Sequence, residues 1–452
     1  MTSTASPSAR QHSYVLPIVI MFALFFMIAF VTGYQNPLGD VIKRMTGDNV
    51  VMSQLGTLAN FIAYAFMGYP AGKILERKGY RVTALYAVSV GFAGVFITYL
   101  SGFLASDSAA LAVYLTGAFV AGFSMCMLNT VVNPMLNSLG KNEKEGNALV
   151  QFGGAFNSLG ATLAPVIVGG LLGGAASSIA SANPVFYLAM GIFAAAFVVL
   201  YFSKLPEVKD FGTDKAKENI PVAGALKYRN FAFGLAAIFC YVGIEVGIAN
   251  MTLQYLSGSP IVKADDPALE PLTIAGTIVG IYWLLMLVGR LMGGVLGSKV
   301  SSRVMLSVVA VTAIILVCLA LTTAESAVPF IGFSSATLSF SYVTVPLNAI
   351  FLILCGLCTS VMWGAIYNLS VQGLGRYTAI ASGLFMVMVC GGGILPMIQS
   401  FIAEQSTVLA SFWLPVVLIA YLLIYALFLS KPSALLPEQK ETLYEDGKEI
   451  EI

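Results

Sequence analysis

The chain has 452 residues, of which 58% are hydrophobic and only 10% charged, with a formal net charge of +1. Soluble domains carry about 25% charged residues, so the composition excludes a soluble globular protein and points to a polytopic membrane protein. The near-zero charge gives no basic field for a nucleic-acid partner, and the six cysteines, Cys126, Cys240, Cys318, Cys355, Cys358 and Cys390, all sit inside apolar runs, where thiols act as small hydrophobes and imply no disulfide framework.

The chain opens on a polar tail, MTSTASPSARQH, that holds His12, the only histidine. The apolar run that follows is too long for a signal-peptide core and reads as a retained first span. Twelve segments are long and apolar enough to cross a bilayer. They are 14–39, 50–75, 81–103, 110–138, 147–173 and 183–203, then 229–257, 271–297, 303–323, 342–371, 376–403 and 409–430. The predicted fold is therefore an all-α membrane protein. Its expected division is a six-helix bundle at 1–203, a linker at 204–229, a second bundle at 230–430 and a tail at 431–452. Basic residues cluster after the second, fourth, sixth, eighth and tenth spans, including Lys73, Arg77, Lys78, Arg81, Lys141, Lys204, Lys299 and Arg376. The opposite loops hold only Lys43, Arg44 and Lys263. This asymmetry places both termini in the cytoplasm.

The first span runs on into Phe30–Asp40, FVTGYQNPLGD. Pro37 lacks a backbone donor and Gly39 tolerates unusual dihedrals, which predicts a bend or local opening there. Gln35, Asn36 and Asp40 need water, a partner or a substrate at that depth. Two readings follow: Asp40 faces a wet central cavity and carries a proton, or it sits in the headgroup zone paired with Lys43 or Arg44. In the fourth span Asn129, Asn133 and Asn137 recur every four residues and share one helix face. Such a stripe bonds neighbouring helices or lines a polar passage; the passage is expected for Asn129 and Asn133, a structural role for Asn137. Asn157 in the fifth span is a candidate hydroxyl reader, with Gln151 one turn or more before it. Glu245 has no other charge within ten residues on either side. It is either a second proton site or a neutral hydrogen-bond donor between spans. Arg290 is expected to act as a conformational latch. Trp363 and Tyr367, four apart, can stack on a sugar face or pack on neighbours, whereas Trp283 and Trp413 read as packing or interface anchors. A metal centre finds no support: Cys355 and Cys358 form a CxxC with no second ligand pair, and no span holds a histidine. The same poverty of acid–base groups argues against an enzyme, and no cofactor is implied.

The halves echo each other. Leu139-Gly140-Lys141 before one apolar run matches Leu374-Gly375-Arg376 before another. Repeated halves point to a transporter with its substrate site between them near mid-membrane. Gly72–Arg81, GKILERKGYR, resembles the cytoplasmic loop motif of the major facilitator superfamily, with Glu76 where Asp is usual. The resemblance implies a gate of charged residues, here Glu76, Arg77 and Arg81. Further stretches resemble the fucose:proton symporter family within it: Leu38–Asp40, Asn133-Pro134, Phe156–Ala161, Tyr241–Val246, Tyr282-Trp283 with Gly289-Arg290, and Gly373–Thr378 with Ser382–Leu384. This family implies twelve helices in two pseudo-symmetric bundles and proton-coupled sugar uptake. Two positions depart from its pattern. Asn129 stands where an acid is expected, and Gly154 where a glutamine is expected.

The resulting expectation is a monomeric importer of a small sugar with a proton, in a bacterial cytoplasmic membrane. Asp40 and Glu245 would handle protons. Gln35, Asn36, Asn129, Asn133, Asn157, Trp363 and Tyr367 would bind sugar, and Glu76, Arg77, Arg81 and Arg290 would gate. Export of drugs or metabolites and non-transporting sugar sensing are the alternatives.

Overall fold

The computed structural model describes residues 14–140, 143–172, 178–206, 222–264, 271–296, 300–334, 339–374 and 378–431; a few side chains within these ranges, Glu76 among them, lie outside that description. The tail with His12 and the loop residues Lys141, Lys299 and Arg376 also lie outside it. The helices of the first half are α1 (Val15–Gly33), α2 (Gln35–Met45), α3 (Val50–Ser53), α4 (Leu55–Ser101), α5 (Asp107–Leu139), α6 (Glu143–Leu172) and α7 (Asn183–Phe202). A short α8 (Val222–Leu226) precedes the second half, which holds α9 (Arg229–Ser257), α10 (Pro271–Leu296), α11 (Ser302–Thr322), α12 (Leu347–Thr359), α13 (Met362–Val371), α14 (Thr378–Met388), α15 (Gly391–Gln405) and α16 (Trp413–Ile424).

Eleven helical stretches among the described residues are long and apolar enough to cross a membrane. The twelfth expected span, 50–75, is present as α3 and the first part of α4, which meet at Gln54. Its hydropathy is diluted by Thr57 and Asn60, both buried. One 47-residue helix thus holds two spans, bent at Gly79, whose φ of 80° and ψ of 176° lie in a region open essentially to glycine alone. Three other spans are interrupted. The first breaks at Tyr34, between α1 and α2; the tenth breaks at Ser360–Val361, and the eleventh at Val389–Cys390. The first break falls one turn before the expected site. Pro37 then sits in the opening turn of α2, where its missing N–H costs least.

The all-α expectation is met in the membrane region and amended outside it. A three-stranded antiparallel sheet, in the order β1 (Lys263–Ala264), β3 (Ser339–Pro346), β2 (Ala327–Ser334), joins the α9–α10 connection to a hairpin between α11 and α12. Residues 342–346, expected to begin the tenth span, are therefore strand. Val343 and Val345 are buried on one face, while Tyr342 is exposed, the alternation a half-buried strand requires.

The two bundles meet most closely where α6 runs along α10. A Cβ at Gly276 would meet the Pro165 carbonyl oxygen at 2.5 Å, and one at Gly280 the Thr162 carbonyl oxygen at 3.0 Å. Small residues let backbones approach where lipid supplies no hydrophobic drive for helix association. The cysteines are free, and four of the six are buried. Gly79→Val should force a β-branched residue into the glycine-only conformation, at a cost of about 1–3 kcal/mol. The expected outcome is a melting temperature several degrees lower for the purified protein in detergent, read by tryptophan fluorescence.

Candidate functional site

Between the halves lies a cavity of about 290 Å³, close to the lower bound for small-molecule pockets. At one end it is bounded by Gln35, Asn36 and Thr57; it extends to Gln151, Gly293 and Ser302 at the other, where Gln151 and Asn368 are exposed. Each of the three helix interruptions abuts it, through Gly33 and Gln35, Ser360 and Val361, and Val389. Irregular backbone is tolerated within a membrane where it lines a cavity, and here the breaks keep local hydrogen bonds, such as the Tyr34 N–H to the Phe30 carbonyl and the Val389 N–H to the Met386 carbonyl.

The amide stripe of α5 is placed largely as expected. Asn129 and Asn133 line the cavity, and Asn137 is exposed away from it. Asn129 Nδ2 donates to the Tyr64 hydroxyl at 3.0 Å and to the Met125 carbonyl at 3.1 Å. Asn133 Nδ2 donates to the Asn129 carbonyl at 2.9 Å. Asn157 Nδ2 donates to the Phe25 carbonyl at 3.1 Å, which ties α6 to α1. In all three the carbonyl end of the amide is left for other partners. Gln35 and Asn36 also line the cavity, and Gln35 accepts a hydrogen bond from the Tyr114 hydroxyl.

Among the cavity-lining residues only Glu245 and Arg290 are charged. They form an ion pair at 3.6 Å, with 14% and 13% of their side chains exposed. Arg290 Nη1 also donates to the Gly154 carbonyl at 2.7 Å. One guanidinium thus joins an acid of its own half to the backbone of the other half, at the very residue that stands in place of the expected glutamine. Glu245 is further framed by Tyr282, whose hydroxyl donates to the Glu245 backbone carbonyl at 3.2 Å. Trp363 lines the cavity with its ring edge-on to Tyr241 at 6.1 Å.

Several expectations are corrected. Asp40 does not line the cavity; it is buried, paired with Arg44 at 2.9 Å, and accepts from Ser257 Oγ of the other half at 3.1 Å. Tyr367 does not line it either: its ring packs edge-on against Phe385 at 5.4 Å. Trp283, expected to be an anchor, is part of the lining. Among the described residues Arg81 meets no partner in the other half. It donates to the carbonyls of Leu200 and Tyr201 at the last turn of α7 in its own half, where a cation meets the negative end of the helix. Arg77 is exposed, and the Glu76 side chain lies outside the described residues. The sequence reading missed Tyr64, Asn250 and Asn368 as lining residues, though an amide within an apolar run is the signal that found Asn129.

The Asp40 end is closed by contacts between the halves. Ser257 meets Asp40, the Val50 N–H donates to Glu404, and Asn250 donates to Gln54 at 2.8 Å. Two helix bundles around a cavity of mixed apolar and amide lining, closed at one end by contacts between the halves, define a membrane transporter. Residues 19–395 match the Major Facilitator Superfamily, and the chain belongs to that family. It is 28% identical to a glucose/galactose transporter of Brucella abortus over 438 residues, covering 94% of this chain and 96% of that one. It is 22% identical to the L-fucose-proton symporter of Escherichia coli, covering 94% and 95%. The crystal structure of FucP, a transporter of this superfamily in the outward conformation, superposes with a TM-score of 0.65 at 19% identity, covering 92% of this chain and 99% of that one.

The Glu245–Arg290 pair gives a stability prediction. Removing one member leaves an uncompensated buried charge, which costs about 3–5 kcal/mol; removing both together costs less. Glu245→Gln and Arg290→Gln should each lower the melting temperature more than the double variant does, as read by thermal unfolding in detergent.

Proposed function

We propose that the protein imports a small neutral sugar, a hexose or a close derivative, together with a proton. The observation that carries this reading is the wall of the cavity. It presents amides from Gln35, Asn36, Asn129, Asn133, Asn157 and Asn250 with the indoles of Trp283 and Trp363, and its one acid and one base balance. Amides bond hydroxyls and aromatic faces stack on the apolar side of a sugar ring, while a cavity without a spare charge favours an uncharged ligand. The names of the relatives, glucose/galactose transporter and L-fucose-proton symporter, support the same substrate class and the proton.

The basic residues of the loops after even-numbered spans support cytoplasmic termini and a bacterial inner-membrane location. On that orientation the closed end at Asp40 is the outer gate, and the cavity faces inward. Asp40 then acts as a proton-bearing part of the gate rather than of the sugar site. Ionised, it holds Arg44 and accepts from Ser257 across the halves. Protonated, it loses the ion pair, the seam weakens, and the outer side opens to load. Arg290 holds the halves together deeper in, through Gly154. Asn129 in place of an acid leaves Glu245 as the acid inside the cavity, and we assign it the second proton-handling position. A membrane potential of 100 mV supplies about 2.3 kcal/mol for each charge moved, enough to concentrate a neutral solute.

The test is transport in proteoliposomes. Wild-type protein should accumulate a labelled hexose when a proton gradient is imposed and should lose accumulation when a protonophore is added. Asp40→Asn should abolish accumulation while keeping sugar counterflow. Full accumulation by that variant, with unchanged pH dependence, would remove Asp40 from the mechanism.

A further inference from the structure

Three amides of the first half spend their nitrogens on the protein. Asn129, Asn133 and Asn157 donate to the carbonyls of Met125, Asn129 and Phe25. A backbone carbonyl only accepts, so the amide nitrogen must face it and the oxygen Oδ1 is the end left over. All three residues are half-buried and line the cavity, and none of the three oxygens belongs to the buried atoms that lack a partner. This wall therefore offers a ligand acceptors. A sugar hydroxyl gives its one proton to an acceptor, while its own lone pairs, like those of the ring oxygen, call for a donor.

Arg290, the one cation of the lining, is placed to supply it. A guanidinium carries five N–H donors in a rigid fork and stays charged. Nη1 spends one on the Gly154 carbonyl at 2.7 Å, and Nη2 faces Glu245 at 3.6 Å. Among the described residues Nε meets no partner, and it does not belong to the buried unpaired atoms, so it keeps surface of its own. The guanidinium has its seat because position 154 lacks a side chain. A Cβ there would stand 3.5 Å from Nη1 and 3.6 Å from Cδ, and anything longer would compete for the same space. Gly154 precedes Asn157 by one turn of α6, a spacing at which residues are neighbours on a helix surface. The donor fork therefore sits within a turn of one of the three acceptors.

We propose that Arg290 is a sugar ligand as well as a latch, and that its spare N–H groups donate to an oxygen of the bound sugar on the side of the cavity where Asn157 lies. The inference rests on the sugar reading given above and adds to it a charged donor facing amides that accept. Hydrogen bonds with an ionised partner are about twice as strong as neutral ones, so this contact weighs more in choosing the ligand than any single amide does. The fork is also oriented before the ligand arrives. Glu245 holds it from its own half and the Gly154 carbonyl from the other, and a group already fixed in place loses little freedom on binding.

The experiment is competition binding on the purified full-length protein, with a labelled hexose displaced by its monodeoxy and monodeoxyfluoro analogues. Fluorine in place of a hydroxyl keeps an acceptor and removes the donor, whereas the deoxy analogue loses both. Sites built to bond a hydroxyl reject the analogue that lacks it, so at the position read by Arg290 the deoxy sugar should bind at least about tenfold more weakly than the parent. At that position the fluoro analogue should bind close to the parent. In Arg290→Met the parent, fluoro and deoxy sugars should converge there, while the other positions keep their discrimination. A residue that only latches the halves would weaken every analogue by the same factor. Arg290→Met leaves Glu245 unpaired; if it does not fold, the double variant Glu245→Gln/Arg290→Met, which leaves no lone charge, carries the test. Discrimination at every position that survives the substitution would overturn Arg290 as a ligand, and so would the absence of any position at which the fluoro analogue binds better than the deoxy one. No binding of any hexose by the wild type would overturn the sugar reading and this assignment with it.

Discussion

Hydrocarbon neither donates nor accepts hydrogen bonds, and that constraint arranges this molecule. Every amide, hydroxyl and charge within the bundle must find a protein partner or line a wet space. The amides of α5 turn back on carbonyls of their own helix and on Tyr64. Asn157 holds a carbonyl of α1, and Asn230 is bound by its amide nitrogen to three carbonyls at the end of the α13 region. Amides from both halves also line the cavity between them.

The charged pair obeys the same constraint in a way that couples the halves. Glu245 and Arg290 belong to α9 and α10 of one bundle, yet the guanidinium also holds a backbone carbonyl of α6 in the other. Buried ion pairs are weak sources of net stability, because desolvation consumes most of the attraction. Their value here is in register: Arg290 has one acid on its own side and one carbonyl across the gap, so separating the bundles breaks a charge-assisted bond. The Asp40 seam does the same at the far end with a shorter ion pair and a hydroxyl.

Much of this was legible in the sequence. Apolar run lengths gave the spans, and polar residues inside those runs gave Gln35, Asn36, Asn129, Asn133 and Asn157 as cavity residues. Long-range pairing was not legible. Glu245 reads as isolated because its partner is on the next span; for Asp40 the sequence leaves the cavity and a pair with Lys43 or Arg44 both open, because nothing local reveals that Ser257 comes over it, and the structure has the Arg44 pair. Tyr367 shares a helix face with Trp363, but Phe385 takes up that end of the face. The hairpin was hidden for another reason. Residues 327–346 contain no charge, and the alternation of Phe340, Tyr342 and Thr344 with Ser341, Val343 and Val345 was absorbed into an apolar run. The break in the first span was displaced by a turn because Pro37 is harmless at a helix start.

The three interrupted spans have a mechanical consequence. A continuous α-helix is stiff along its whole length, whereas a span built as two rods joined over one or two residues bends more readily at the joint. Tyr34, Ser360–Val361 and Val389–Cys390 all place such joints beside the cavity. The halves of this carrier therefore need not swing as two rigid blocks.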